Sequence, residues 1–253
     1  MNEMTVLMQF LSCSLEDSLP VLRPFAELEG AKAVFDGGKK NFVYVPGKRN
    51  DRVVLVAHTD TVWDRYYTQE EEIDLESDQP KEHRPVLMPD GTIRQGGWRG
   101  WGLGADDRAG CAMLWLLRNS GHSLLLTDGE EHGQIGAHHL MTEYPEIAGE
   151  LNDHRYMIQL DRRNETDYKT YALPVSRKFL KHIEKKTAFR NAGKNSRTDI
   201  VALCTRICGV NLSVGYFDEH CPTEYLHYNG WLNTCQAVQR MLENEQPLFL
   251  MKK

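Results

Sequence analysis

RVVLVAHTD, at residues 52–60, is an almost unbroken apolar run that ends abruptly in polar residues. Such a run predicts a strand that is covered on both faces, as in a parallel sheet. Three further segments have the same character: residues 123–127 (SLLLT), 156–160 (YMIQL) and 210–214 (VNLSV). Residues 42–45 (FVYV) predict a fifth strand, with residues 33–35 as its partner across a turn.

Helical patterns separate these strands. They cover residues 108–118, 136–144, 176–186 and 199–208, and a last helix is predicted from Pro222 to about Leu242. Strands that alternate with helices predict an α/β fold, here a three-layer sandwich around a mixed, largely parallel sheet. The most polar stretch, residues 69–84, predicts a solvated loop that could also form a rim or lid.

The composition argues against several classes of protein. The 253 residues are enough for one large domain with a substantial core, while a net charge of −6 argues against a nucleic-acid groove or an anionic membrane surface. No apolar run reaches the roughly 20 residues of a membrane helix, and residues 1–14 lack the basic start of a signal peptide. The six cysteines lack the paired spacing of a zinc knuckle, so we expect reduced thiols in a cytoplasmic protein.

Chemically reactive side chains follow four of the predicted strands. His58 follows the first strand, Glu130 and Glu131 follow the second, and Asp161 follows the third. His220 comes a few residues after the fourth. Because ligands of open α/β sheets bind beyond the carboxyl ends of the strands, we expect these side chains at one edge of the sheet.

Asp106 and Asp107 stand just before the first of the predicted helices and add carboxylates to this set. Two imidazoles and several carboxylates, with no thiolate, form a donor set that suits Zn²⁺, Co²⁺ or Mn²⁺. In the usual geometry, each of two ions takes one histidine and one carboxylate, and a further carboxylate bridges both. The sequence therefore predicts two divalent metal ions, with zinc as the first choice.

Each of these features has an ordinary structural interpretation when it is taken alone. His58 could be a hydrogen-bonded strand end, and Asp106 could belong to a helix cap. Glu131 could lie in a solvated turn, and Asp161 could belong to a surface ion pair. Their occurrence together, in order and at the ends of strands, favours a metal site.

Five motifs carry a family resemblance: HTD, GADDRAG, DGEE, LDRR and EHCPTEYL, which begin at His58, Gly104, Asp128, Leu160 and Glu219. Together they resemble the co-catalytic zinc metallopeptidase superfamily, which includes single-domain zinc aminopeptidases and tripeptidase and aminoacylase relatives. The likeness runs in register over more than half of the chain, and every expected ligand position is filled. It implies the fold of the zinc aminopeptidases, which is of the phosphorylase/hydrolase-like type.

The resemblance also implies how the residues divide between the two metal ions. His58 and Asp161 would hold one ion, and Glu131 and His220 would hold the other. Asp106 would bridge the two ions.

Two further residues acquire catalytic roles by this resemblance. Glu130 would be the general base. Asp60 would hold His58 in its orientation without binding a metal ion itself. The family also implies a cis peptide bond between Asp106 and Asp107.

The intervals between the motifs are too short for the insertions that other branches of the superfamily carry. A dimerisation domain has no room between the fourth and fifth motifs. A β-barrel has no room between the first and second motifs, which leave space for a polar loop and a hairpin around residues 89–91. We therefore expect a single catalytic metallopeptidase domain over residues 1–253, as a monomer or a weak homo-oligomer.

Residues 196–199 (SRTD) lie where relatives carry residues that contact the substrate. Arg197 or Asp199 could face a substrate terminus while Thr198 caps the helix that follows, and a plain helix cap is an equally good interpretation. Tyr225 or Arg197 could help to stabilise the oxyanion of the reaction.

These inferences predict a metal-dependent peptidase, in first place an aminopeptidase, in which a metal-bridged water attacks a peptide carbonyl and Glu130 moves the proton. Its partner would be a peptide or small amide substrate, and neither nucleic acid nor a membrane. Three alternatives stay open. The same site could serve an N-acyl amino acid deacylase, or a carboxypeptidase or dipeptidase. The chain could also be a glutaminyl-cyclase-like transferase, or an inactive metal-binding homologue.

Overall fold

An eight-stranded mixed sheet lies at the centre of the fold, in a computed structural model that describes residues 2–64 and 82–252. The strands in chain order are β1 (Lys32–Val34), β2 (Phe42–Val45), β3 (Val54–His58), β4 (Pro85–Leu87), β5 (Thr92–Gln95), β6 (Ser123–Thr127), β7 (Met157–Arg162), β8 (Asp167–Lys169), β9 (Arg190–Asn191), β10 (Gly209–Ser213), β11 (Tyr216–Phe217) and β12 (Tyr225–His227). The order across the large sheet is β1-β2-β6-β3-β7-β10-β8-β9. Its central strands β6, β3, β7 and β10 are parallel, as their apolar runs predict.

Helices cover both faces of this sheet. They are α1 (Glu3–Leu11), α2 (Leu19–Ala26), α3 (Ala105–Leu117), α4 (Ile135–Glu143), α5 (Pro145–Asn152), α6 (Arg177–Thr187), α7 (Asp199–Leu203) and α8 (Tyr228–Leu242). Leu55 and Ala57 of β3 pack in one core cluster with residues of α1, α2, α3, α6 and α8. Val54 and Val56 of the same strand pack in the other cluster, with α4, α5 and α7. The predicted α/β three-layer sandwich around a largely parallel sheet is confirmed.

Two helix boundaries differ from the prediction by five residues or more. The last helix begins at Tyr228 and not at Pro222, because Tyr225–His227 pairs with β5 as strand β12. The predicted helix at residues 199–208 ends at Leu203, because the following chain forms a bridge between Ile207 and Leu250. In both places the chain pairs with a distant segment, and this pairing overrides the local preference for a helix.

A smaller sheet, of order β11-β12-β5-β4, lies beside the first. Its strands β4 and β5 form the hairpin predicted around residues 89–91, with Gly91 at φ +82° and the Thr92 N–H donating to Asp90 Oδ1 at 2.9 Å. The predicted rim or lid at residues 69–84 lies mostly outside the described residues. None of the described helices has the length and apolar character that crossing a membrane requires.

His154 is a buried histidine that the fold holds in its neutral form. Its Nδ1 lies 2.7 Å from the carbonyl oxygen of Glu150, and its Nε2 lies 2.7 Å from the Ser123 hydroxyl. The Ser123 hydroxyl oxygen accepts the Gly47 N–H, so its proton is free to be donated to the imidazole. Burial lowers the pKa of His154 to about 4.

This histidine makes the fold sensitive to acid. The unfolded chain takes up a proton near pH 6.5, whereas folded His154 does so only near pH 4. Stability is therefore lost as the pH falls from about 6.5 to about 4, by an amount on the order of 3 kcal/mol. His154→Gln should show a smaller loss in free energy of unfolding between pH 7.5 and pH 4.5 by urea denaturation. The exposed His138, changed to Gln, serves as the control, and an unchanged slope in the His154 variant would contradict this account.

Candidate metal centre

The carboxyl ends of the parallel strands bring the predicted metal residues to one edge of the sheet. His58 is the last residue of β3, and Asp161 lies near the end of β7. Glu131 follows β6, and Asp106 lies at the start of α3. His220 lies in the loop between β11 and β12. All five residues predicted as ligands are thus brought to one place.

Asp106 lies between the two histidines and turns one carboxylate oxygen to each. Its Oδ1 is 3.0 Å from His58 Nε2, and its Oδ2 is 3.2 Å from His220 Nε2. Each histidine has a second carboxylate beside it. Asp161 Oδ1 is 3.3 Å from His58 Nε2, and Glu131 Oε1 is 3.0 Å from His220 Nε2. The five side chains therefore form two sets of donors that share Asp106.

Negative charge dominates this cluster. Hydrogen bonds to the carboxylates of Asp106 and Glu131 raise the pKa of His220 to about 11. Burial raises the pKa of Glu131 to about 7, and the charge of Asp106 adds to the effect. Burial alone would lower the pKa of His58, but Asp161 and Asp106 hold it well above its usual range. A buried acidic cluster of this kind attracts cations, and its nitrogen and oxygen donors fit two divalent ions.

Asp107 follows Asp106 through a cis peptide bond, as the resemblance implies. Its carboxylate lies close enough to His58 and Asp161 to count among the donor groups, with all donor atoms within 4.8 Å. Both of its oxygens already accept backbone N–H groups, that of His58 at 3.1 Å and that of Gly110 at 3.0 Å. We therefore assign Asp107 to holding the strand end and the helix start together.

Asp60 is fully buried behind the cluster and contacts three residues of the site. Its two oxygens accept the backbone N–H groups of Glu130, at 3.1 Å, and of Glu131, at 3.2 Å. Oδ1 also lies 3.4 Å from His58 Nδ1. This geometry is what the predicted supporting role of Asp60 requires.

Residues 42–206 match peptidase family M28, which is more than half of the chain. The chain belongs to this family. The matched span contains the motifs of His58, Asp106, Glu131 and Asp161 and ends before His220, whose place in the centre rests on the distances above. Membership of M28 confirms the predicted metal-dependent peptidase and the predicted pair of divalent ions, for which the donor set favours zinc.

Solved structures of several peptidases share this fold. The aminopeptidase PepT from Bacillus cereus aligns with a TM-score of 0.65 at 13% identity, over 96% of this chain and 98% of that one. A tripeptidase from Staphylococcus aureus aligns with a TM-score of 0.64 at 13% identity, again over 96% and 98%. The TET1 peptidase of Pyrococcus horikoshii, which can assemble into a tetrahedron or a large octahedral shell, aligns with a TM-score of 0.63 at 12% identity, over 95% and 99%. A search of curated protein sequences finds no match.

Three polar residues that sequence reasoning missed orient Asp161 in this M28 chain. Its Oδ2 accepts hydrogen bonds from Gln159 at 2.9 Å, from Thr198 at 2.6 Å and from Asn211 at 3.3 Å. With Oδ2 satisfied in this way, Oδ1 is the oxygen that faces His58. Gln159 and Asn211 interrupt otherwise apolar strands, and this interruption was the signal in the sequence. Thr198, predicted as a helix cap, turns its hydroxyl to Asp161 instead.

Glu224 is a further residue whose role the sequence does not indicate. Its buried carboxylate accepts the Gly104 N–H at 2.7 Å and the Asp106 N–H at 3.0 Å. Burial raises the pKa of Glu224 to about 8. The side chain thus fixes the loop from which Asp106 projects.

Glu224→Ala should weaken metal binding although Glu224 is not a ligand. Two buried backbone N–H groups lose their acceptor, which costs about 1–3 kcal/mol each, and the loop of Asp106 is no longer held. We expect a lower free energy of unfolding in the metal-free protein and zinc affinity reduced by about 10–100-fold. Urea denaturation in chelator and zinc titration against a competing chelator measure the two effects. Zinc affinity equal to wild type would show that the loop of Asp106 keeps its conformation without Glu224.

A cavity of about 370 Å³ opens beside the metal residues. Its wall includes Arg197, as the prediction of a substrate contact requires. Asp199 does not reach it, because this residue is fully buried and bonded to Thr127. Tyr225 is not on the wall either, since its ring stacks on Phe217 at 5.1 Å between centroids. Of the three predicted substrate residues, only Arg197 therefore lies on the cavity wall.

Proposed function

We propose that this M28 peptidase is an aminopeptidase whose two metal ions are held by His58, Asp161, Glu131 and His220, with Asp106 shared between them. The observation that carries this proposal is the position of Asp106, which turns one oxygen to each histidine. Ions bound there would polarise the peptide carbonyl and activate a water molecule for attack.

Glu130 is the residue that we propose as general base. It lies on the cavity wall next to Glu131. Within the described part of the chain its carboxylate has no hydrogen-bond or ion-pair partner, whereas Asp161 and Glu131 face histidines. A carboxylate without a partner can take the proton of the attacking water and pass it to the leaving amine. The backbone of Glu130 is fixed by Asp60, which keeps the base in place.

The acidic end of the cavity favours an aminopeptidase over a deacylase. Asp106, Glu130, Glu131 and Asp161 all line it. Of these, Glu130 is not a proposed metal ligand, so its carboxylate would keep its negative charge beside bound ions and attract the positive α-amino group of a peptide. An N-acyl amino acid has no such charge next to its scissile bond. The names aminopeptidase and tripeptidase of two structures with this fold support the same choice.

A substrate screen tests this function. Protein reconstituted with zinc or cobalt would be assayed with aminoacyl nitroanilides, with their N-acetylated forms and with N-acyl amino acids. We expect hydrolysis to require a free amino group. Hydrolysis of N-acyl amino acids alone would show that the deacylase alternative is correct.

We also propose a cytoplasmic location and a monomeric or weakly associating state, with one catalytic domain. The six cysteines are unpaired, which suits a reducing compartment. Light scattering coupled to size exclusion would measure the mass in solution. A stable particle of many subunits would contradict the proposed state.

A further inference from the structure

Positive charge lines one part of the cavity whose other part holds the acidic metal residues. The four cations are Arg162, Arg163, Lys169 and Arg197. Two of them are already neutralised within the chain. Arg162 Nε lies 2.5 Å from Asp167 Oδ1, and Arg163 Nη1 lies 2.8 Å from Glu219 Oε1.

Lys169 and Arg197 have no such carboxylate. Lys169 Nζ donates to the carbonyl oxygen of Asn195 at 2.8 Å and lies 3.3 Å from the Ser196 hydroxyl, which are both neutral groups. Over residues 2–64 and 82–252, neither Lys169 nor Arg197 has a carboxylate within ion-pair distance. Burial lowers the pKa of Lys169, and the charge of Arg162 adds to this effect. Two positive charges on the cavity wall are thus left for a partner from outside the chain.

The sheet register places Lys169 on the same face as the groups around Asp161. Lys169 pairs with Asn211, and Asn211 pairs with Gln159. Asn211 and Gln159 both reach Asp161 with their side chains, so Lys169 points to the same side of the sheet. Strand β8 is two strands away from β7, a spacing of about 10 Å. That distance is within the length of a peptide of two or three residues, at roughly 3.3–3.6 Å per residue.

We propose that Lys169 and Arg197 form a subsite for a carboxylate of the substrate. The inference rests on the proposed function, since it concerns a peptide bound with its scissile bond at the metal centre. The carboxylate can come from two sources: the free C-terminus of a di- or tripeptide, or an acidic side chain of the N-terminal residue. In either case the cavity selects short peptides with an anionic group near the bond to be cleaved.

Calorimetric titration of peptides into the zinc-reconstituted Glu130→Gln variant tests the subsite without turnover. Ala-Ala-Ala against its C-terminal amide measures the contribution of the free C-terminus. Glu-Ala-Ala amide against Gln-Ala-Ala amide measures that of an acidic side chain. We expect one of these pairs to differ in Kd by about 10–100-fold in favour of the carboxylate.

A second substitution in the Glu130→Gln variant tests whether the difference in Kd depends on Lys169 and Arg197. Lys169→Met or Arg197→Gln should remove most of the difference within that pair and leave the neutral peptide bound as before. Lys194→Met, which changes an exposed cation that does not line the cavity, should keep the difference.

Three outcomes would overturn the subsite: equal binding within both pairs, no binding of any carboxylate peptide, or a loss that affects charged and neutral peptides alike. Hydrolysis of a neutral aminoacyl nitroanilide by the wild-type enzyme would then still support the proposed function.

Discussion

Glu130→Gln is expected to lower kcat by about 10²–10⁴-fold and to leave the metal content unchanged. The amide has nearly the same size and polarity as the carboxylate but cannot take up the proton of the attacking water. The backbone of residue 130 stays bonded to Asp60, because that contact involves only the N–H group. Steady-state kinetics on an aminoacyl nitroanilide and elemental mass spectrometry on the same sample measure both quantities.

The metal content shows whether a loss of activity in the Glu130 variant comes from the missing base or from a disturbed metal site. Glu146→Gln, an exposed carboxylate in the first turn of α5, is the matched control and should keep wild-type kinetics. Activity close to wild type in the Glu130 variant would rule out this residue as the base. A variant that is inactive and has also lost metal would point to a structural role for Glu130.

Substitution of the metal ligands is expected to have the second large effect. The amount of zinc lost should differ between Asp106, which both donor sets share, and a ligand that belongs to one set. His220→Ala removes a donor from one set only, so about one of two zinc equivalents should be lost. Asp106→Ala removes an oxygen from both sets, so both equivalents should be lost. Hydrolysis should fall below detection in both variants, since each metal takes part in holding or activating a reactant.

Elemental analysis of protein purified without chelator gives the stoichiometry. His138→Ala, on the exposed side of α4, is the control and should retain two equivalents. A single equivalent in the wild-type protein that titration cannot raise to two would contradict the two-metal site. Near-zero metal that titration cannot restore would favour the inactive homologue.

The sequence predicts the sheet and the metal residues for the same physical reason. Strands that are buried on both faces must be apolar along their length, so the polar residue that ends each run stands out. His58 and Asp161 are found in this way, and parallel alignment then brings them together. Roles for these residues could be expected only because five motifs agreed with one family.

Contacts that depend on tertiary structure were not predictable from local patterns. Pro222 is a good first residue for a helix, but nothing nearby in the sequence shows that residues 225–227 pair with β5. Asp199 was expected at the substrate, yet it lies buried against Thr127 of another strand. Glu224 lies far along the chain from Gly104, so its bond to that loop has no local signal.

The dependence of the Asp106 loop on Glu224 has a consequence for the synthesis of the protein. A nascent chain that has emerged as far as β7 already contains His58, Asp106 and Asp161 but lacks both His220 and the carboxylate that fixes the loop. Contacts across such long stretches form late, because the intervening chain must be closed first. The hydrolytic centre therefore lacks one of its histidines until residue 220 has left the ribosome, and the loop of Asp106 is held only once residue 224 follows.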